Sequence, residues 1–239
     1  MDISRDAIDR VVELAVPTLE VIEGRTYSSK KLEPIIEPTP PMANTNGLTA
    51  LADFLRWDTP AGLADLIAEV RDEKVVHVFG RLRAPWAQRP MLAKAVFEEA
   101  ARFPFGQFMD QQSFLIGMQV GFVQDDTTAK LLTLVGTIKD SKVLELTDDG
   151  VTQQVSASVG LAKLGLVNVP NPVTLRPYRT FPEVEQPASQ YVIRMRSGKD
   201  EEVPSIALFE VQDPSWRRAA RIAIKDYLRA QLTDLTVLA

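Results

Sequence analysis

Apolar residues recur at helical spacing through much of the first 140 residues. Ile3, Ala7, Val11 and Leu14, for example, place an apolar stripe along an N-terminal helix. Proline at the first helical position, as in Thr59-Pro60, supports the same interpretation further on. The predicted helices cover residues 2–15, 48–55, 60–70, 92–103, 111–123 and 127–139, and predicted strands cover 16–24 and 75–82.

From residue 141 onward the apolar period changes to two, which is typical of strands. KVLELT (142–147), the turn dipeptide Asp149-Gly150 and VTQQVSASVG (151–160) together predict a hairpin. Further strands are predicted at 172–180, 190–196 and 204–211, and a final helix from Asp213-Pro214 to about Leu232. Helices that precede strands, without alternating with them, favour the α+β class.

We therefore expect a single α+β domain over residues 1–239. Its N-terminal part should be rich in helices, and its C-terminal part should hold an antiparallel sheet closed by the final helix. Pro34, Pro38, Pro40 and Pro41 keep the chain extended, so residues from about 34 to 43 are predicted to form a connecting arm.

Composition excludes several kinds of chemistry. The chain has no cysteine and one histidine, which excludes disulfides, thiolate catalysis and the usual zinc sites. No apolar run approaches the roughly 20 residues that span a bilayer, and the acidic, amphipathic N-terminus is unlike a secretory signal. We expect a cytoplasmic protein that is not associated with a membrane.

Charge is unevenly spread along the chain. Residues 1–75 carry 8 basic and 14 acidic side chains, residues 76–171 carry 9 of each, and residues 172–239 carry 10 basic and 9 acidic. The net charges are therefore −6, 0 and +1. A general polyanion binder usually has a clear basic excess, so this distribution argues against one and leaves room for a local basic face near the C-terminus.

Known catalytic and nucleotide-binding patterns are missing from the sequence. Neither GxGxxG nor GxxxxGK[ST] occurs, and no GxSxG accompanies His77, which is predicted to be a structural histidine on a strand. Asp125-Asp126 and Asp148-Asp149 offer carboxylates for magnesium, but the first pair suits a helix N-cap and the second a hairpin turn. We expect no metal and no cofactor.

The C-terminal helix carries a basic ridge. Arg217, Arg221, Lys225 and Arg229 recur every four residues, with Arg218 beside them. Ala220, Ile224, Tyr227 and Leu228 supply the apolar side of the same helix. The ridge is either a solvated outer face or a docking surface for nucleic-acid phosphates or an acidic partner.

RPYRTFPEVEQP (176–187) combines arginines, aromatics, glutamates and three prolines. Proline every five residues predicts an extended crossover outside any central strand. We expect ion pairs to clamp it and its aromatic residues to anchor it in the core, with a self-association arm as the alternative. The clamp or interface residues are Arg176, Tyr178, Arg179, Phe181, Glu183 and Glu185, together with Arg194 and Arg196 on the next strand, where either glutamate could pair with Arg179, Arg194 or Arg196.

Several stretches resemble the YfdQ-like family of phage and prophage proteins, a domain of unknown function. They are DDGVTQQVSASVG (148–160), VPNPVTLRPYRTFPEVEQPASQYVIRMR (169–196), ALFEVQDPSWRRAARIAIKDYL (207–228), RTYSSKKL (25–32) and FPFGQFMDQQSFLIG (103–117). The chain departs from the family at Val211-Gln212-Asp213-Pro214. The resemblance implies an early, non-virion gene product in the bacterial host cytoplasm, and it brings no catalytic residues.

Three functions follow as hypotheses. The first is a non-enzymatic phage protein that forms a homo-oligomer and binds a host or phage protein, for host takeover or counter-defence. The second is a nucleic-acid-binding accessory factor in phage recombination or replication. The third is an enzyme with a carboxylate-only site at Asp148 and Asp149 or at Glu183 and Glu185.

Overall fold

A computed structural model describes residues 4–22, 25–28, 41–57, 62–82, 89–98, 102–139, 142–148, 153–159, 162–169, 171–196 and 205–239. Contacts divide the chain into two compact units, residues 1–40 and 41–239. The division falls in the proline-rich arm predicted at about 34–43, of which residues 34–40 lie outside the described residues. A single domain over the whole chain stays a prediction.

The helices are α1 (Arg5–Ala15), α2 (Leu48–Trp57), α3 (Gln111–Gly121), α4 (Asp126–Lys139) and α5 (Ser215–Gln231). The strands are β1 (Leu19–Ile22), β2 (Arg25–Ser28), β3 (Ala43–Thr45), β4 (Ile67–Asp72), β5 (Val75–Phe79), β6 (Met91–Val96), β7 (Lys142–Asp148), β8 (Gln153–Val159), β9 (Ala162–Val169), β10 (Val173–Leu175), β11 (Ser189–Arg196), β12 (Ser205–Glu210) and β13 (Thr236–Leu238). The fold is mixed α and β.

The first unit holds one helix and one hairpin. Ser4 caps α1, because its hydroxyl accepts a hydrogen bond from the Ala7 N–H at 3.3 Å. The chain then forms β1, which pairs antiparallel with β2. Both the predicted N-terminal helix and the predicted strand at 16–24 are confirmed within the described residues.

The second unit contains a five-stranded sheet in the order β13-β4-β5-β6-β3. Strand β5 is antiparallel to both β4 and β6, while β13 runs parallel to β4 and β3 runs parallel to β6. Helices α2 and α5 pack on this sheet. The first core forms between them from Leu48, Leu51, Leu55, Ala68, Val70, Val76, Val78, Ala93, Ala95, Ile224, Leu228 and Val237, among others.

A second core lies under the antiparallel sheet β10-β11-β12, which α3 and α4 cover. It is rich in aromatic side chains: Phe103 makes edge contacts with Phe114 and Phe122, and Tyr191 stacks on Phe105. Asp110 caps α3 by accepting from the Ser113 N–H at 2.9 Å, and Asp125 caps α4 by accepting from the Thr128 N–H at 2.9 Å. Both helices and the strands at 190–196 and 204–211 are confirmed.

Strands β7, β8 and β9 form a separate antiparallel sheet. The predicted pairing of the strands on either side of Asp149-Gly150 is confirmed, and the turn itself lies outside the described residues. Strand β9 was not predicted, because LAKLGLVNV alternates only partly between apolar and polar residues.

The expectation of a helix-rich N-terminal part is wrong. In the stretch predicted as a helix at 60–70, Leu63–Asp65 form a short 3₁₀ turn and β4 follows. Ala68 and Val70 lie on the same face of β4, and both side chains are buried in the first core. In the stretch predicted as a helix at 92–103, residues up to Val96 belong to β6, in which Ala93 and Ala95 are fully buried, and residues 99–101 lie outside the described residues. Cross-strand pairing and burial therefore outweigh the helical spacing and propensity of these two stretches.

The final helix is confirmed, but it does not close the antiparallel C-terminal sheet. It packs against α2, β4 and β13, which belong to the first core. Ala220, Ile224 and Leu228 are buried on the side that was predicted to be apolar. None of the helices in the described ranges combines the length and the apolar character that a membrane crossing requires.

Candidate functional site: the Arg179 cleft and the basic ridge

The 176–187 segment connects the two cores of the second unit. It leaves β10 in the second core, places Phe181 and Val184 in the first core and returns to β11. The Gln186 amide holds the bend: its Nε2 donates to the Phe181 carbonyl at 3.0 Å and its Oε1 accepts from the Arg179 N–H at 3.1 Å. The predicted anchoring by Phe181 is confirmed.

Tyr178 was expected to anchor the segment as well, and this expectation is wrong. Its side chain is 42% exposed and lines a cleft at the surface. Its N–H donates to the Gly121 carbonyl at 2.9 Å, which fixes the backbone at the end of α3 and turns the side chain outward.

Arg179 is the central residue of the segment and is only 7% exposed. Its Nη1 donates to Glu210 Oε1 at 2.6 Å and to the Tyr191 hydroxyl at 3.4 Å. Its Nη2 donates to the Ser189 hydroxyl and to the Pro187 carbonyl. The guanidinium lies 3.7 Å from the centre of the Trp216 ring, in the first turn of α5, so a cation–π contact adds to the ion pair.

The remaining clamp residues have partners that differ from those predicted. Arg176 Nη1 pairs with Glu185 Oε1 at 3.0 Å on the surface. Glu183 Oε1 accepts from the Thr49 N–H at 3.1 Å, so this carboxylate caps the start of α2. The pairing of Glu183 or Glu185 with Arg179, Arg194 or Arg196 is therefore replaced by these contacts.

Arg194 and Arg196 lie on the same face of β11, as expected. Arg194 Nη1 donates to the carbonyl of Ile193 at 3.1 Å. The Arg196 guanidinium lies 4.3 Å from the centre of the Phe108 ring. Neither residue lines the cleft at Arg179.

We call the surface depression beside Arg179 the Arg179 cleft; its volume is about 140 Å³. Five segments distant in sequence form its charged lining. Its basic side chains are Lys74, Arg102, Arg179 and Arg217, and its acidic side chains are Glu73 and Glu210. Phe103, Phe105, Tyr178 and Trp216 supply aromatic surface.

Behind Arg179, the buried Tyr191 hydroxyl donates to Glu210 Oε1 at 3.5 Å. Burial is the main reason why the pKa of Tyr191 is raised well above its ordinary value. The phenol therefore stays protonated, and it serves as a fixed hydrogen-bond donor to Glu210, not as a base.

The basic ridge lies on α5 as predicted. Arg217, Arg218 and Arg229 are exposed, and Arg221 and Lys225 are half-buried. Arg217 Nε lies 3.4 Å from Glu73 Oε1, so one end of the ridge reaches the Arg179 cleft. The other ridge residues do not line the cleft.

The histidine and the aspartate pairs that the sequence offered as catalytic or metal-binding residues have structural surroundings where they are described. His77 is 7% exposed on β5, and burial, followed by the charges of Lys94 and Arg71, lowers its pKa. Asp125 caps α4, as the sequence indicated, while Asp149 and the side chain of Asp148 lie outside the described residues. Within the described ranges, no three His, Cys, Asp or Glu side chains are grouped so that they could hold a metal ion.

Sequence reasoning missed most of the cleft. Arg102, Glu210 and Trp216 come from three separate segments, and no local spacing connects them with Arg179. Trp216 beside Arg217 at the start of a helix was the one available signal. No protein family, curated protein or solved structure matches the chain, so the resemblance to the YfdQ-like family stays a prediction.

Proposed function

We propose that the chain is a non-enzymatic, phage-encoded early protein that self-associates and binds a host or phage protein. The main support is the surface of the first unit. Helix α1 buries none of its residues, and Ile8, Val11, Val12 and Leu14 are between 52% and 65% exposed. An amphipathic helix with its apolar stripe in water is typical of a surface that binds another protein.

The hairpin of the first unit supports the same function. All four residues of β1 are exposed, and three of them, Leu19, Val21 and Ile22, are apolar. Strands β1 and β2 form a two-stranded sheet in the described part of the chain, so β1 has an outer edge with backbone groups that another strand can pair with.

Physical stability argues that these elements need a partner. An isolated helix of fewer than about 12–15 residues is marginal in water, and a lone two-stranded hairpin is marginal as well. Here α1 has 11 residues and each strand has 4. We propose a second copy of the chain as the first partner, because it presents an identical apolar stripe and an identical strand edge.

Light scattering after size-exclusion chromatography tests self-association. Ile8→Asp puts a charge in the apolar stripe and should convert the oligomer to a monomer. Arg10→Asp introduces the same residue on the polar side of α1 and should leave the oligomer intact. A wild-type protein that is monomeric at all concentrations and retrieves no partner from host lysate would overturn the proposal.

A nucleic-acid accessory function is the second candidate, and the basic ridge favours it. The ridge residues occupy one helix whose opposite side is buried, so their backbone positions are fixed. Phosphate binding should weaken steeply with salt. Mobility shifts at low salt should be lost with Arg221→Glu plus Lys225→Glu and kept with Lys130→Glu on α4; absent shifts, or shifts that both variants retain, would exclude this function.

A further inference from the structure

We infer that the Arg179 cleft binds a small oxyanion carried on an aromatic ring, as in an aryl phosphate or an aryl carboxylate. This site is separate from the exposed surface of the first unit. It is formed entirely by residues between Glu73 and Arg217, all of which belong to the second unit.

The charges of the lining favour an anion. Its four basic side chains exceed its two acidic ones by two formal charges. Both carboxylates already have basic partners, since Glu210 pairs with Arg179 and Glu73 with Arg217. Arg102 is exposed at the cleft and has no ion pair within the described part of the chain, so an entering oxyanion can take it as a partner.

Arg179 gives the cleft a fixed positive charge. Four hydrogen bonds hold its two terminal nitrogens and Trp216 covers one face of the guanidinium, while its Nε–H is buried without a hydrogen-bond partner in the described structure. A buried donor without a partner is rare in proteins, and a bound water or ion beside Arg179 is one explanation of it.

The remaining lining and the size of the cleft favour one aromatic ring. Phe103, Phe105, Tyr178 and Trp216 supply ring surfaces next to the charged groups. The volume of about 140 Å³ is similar to that of an engineered protein cavity that holds benzene, roughly 150 Å³. A ring therefore fits the cleft, and its oxyanion can reach the basic side chains of the lining.

Isothermal titration of the full chain with four probes tests this inference. Phenyl phosphate and benzoate should bind, and the stronger of the two identifies the preferred oxyanion. Inorganic phosphate, which lacks the ring, and benzyl alcohol, which lacks the charge, should each bind at least about tenfold more weakly, as expected for the loss of one good interaction.

Matched variants locate the site. Arg102→Gln should weaken phenyl phosphate about tenfold through the loss of one charged hydrogen bond. Arg218→Gln removes the same charge from the neighbouring surface, outside the cleft, and should leave binding unchanged. Gly121→Leu, at a position where an added Cβ meets only ordinary contact with Phe103, should block the ring without any change of charge.

Several outcomes would overturn the inference. They are no binding of either aryl anion, equal binding of inorganic phosphate, or equal losses in Arg102→Gln and Arg218→Gln. Circular dichroism melting of each variant shows whether a loss of binding reflects unfolding. Because Arg102 is exposed, its variant should melt with the wild type, and its titration alone then decides the result.

Discussion

Helices α1 and α5 are both amphipathic, but they differ in whether their apolar side chains are buried. Helix α5 buries Ala220, Ile224 and Leu228 in the first core, whereas α1 buries no residue. The pattern of apolar residues therefore predicted both helices correctly and could not tell which of them has its partner within the described chain. An apolar stripe shows that a helix needs a partner, and only the packed structure shows whether the chain supplies it.

The first prediction concerns the anchoring of α5 through Trp216 and Arg179. Arg179→Met removes four hydrogen bonds of a buried guanidinium, one of which is the ion pair with the partly buried Glu210, and should lower the free energy of unfolding by about 3–5 kcal/mol. Arg176→Met removes the exposed pair with Glu185 and should lower it by less than about 1 kcal/mol. Urea denaturation measures the free energy of unfolding of both variants. Similar losses of stability would show that the contacts of Arg179 do not anchor α5.

The second prediction compares the apolar side of α5 with the apolar stripe of α1. Leu228→Ala leaves a cavity in the first core and should lower the free energy of unfolding by about 2–5 kcal/mol. Val11→Ala on α1 should change it by no more than about 0.5 kcal/mol in a monomeric sample at low concentration. If Val11→Ala were as destabilising as Leu228→Ala, the stripe of α1 would be buried in solution within one chain.

The third and smallest effect is a difference in pH dependence between the helix caps. Hydrogen bonds from the Ser215 hydroxyl and N–H lower the pKa of Asp213 below its ordinary value of 3.8. The contribution of its hydrogen bonds to Ser215, at the start of α5, is therefore complete above about pH 3.8 and is lost as the pH falls through the lower folded pKa. The Ser4 hydroxyl that caps α1 does not titrate in this range.

Melting temperatures between pH 2 and pH 5 check the difference between the caps. Asp213→Asn should reduce the decrease in melting temperature between pH 5 and pH 2. Ser4→Ala should lower the melting temperature equally at every pH in this range or leave it unchanged. An unchanged acid profile in Asp213→Asn would show that other carboxylates account for the whole decrease.

Local features of the fold could be predicted from the sequence. The cap at Asp125 and the pairing of β7 with β8 depend on neighbouring residues, and the sequence predicted both. Strands β4 and β6 were missed because Ala, Leu and Glu favour helices, while the pairing that makes them strands comes from other parts of the chain. The sequence therefore predicts structure that neighbouring residues determine, and it does not predict structure that depends on contacts between distant parts of the chain.

The candidate site illustrates the same limit. Arg179 was selected from the sequence as a clamp residue, but its expected partners were local. Its actual partner Glu210 is 31 residues away, and Trp216 lies on another element. Arg102 carried no signal at all, because an exposed arginine after an apolar stretch is common on protein surfaces.

The 176–187 segment has a consequence for how the second unit melts. Phe181 belongs to the first core, Tyr191 belongs to the second, and the Thr180 hydroxyl donates to the Glu73 carbonyl at 2.6 Å on the β4–β5 turn. Because the 176–187 segment is anchored in both cores, neither core can unfold without pulling this segment out of the other core. We expect the amide protons of β5 and β11 to exchange in one cooperative event, and heat to be absorbed in one peak.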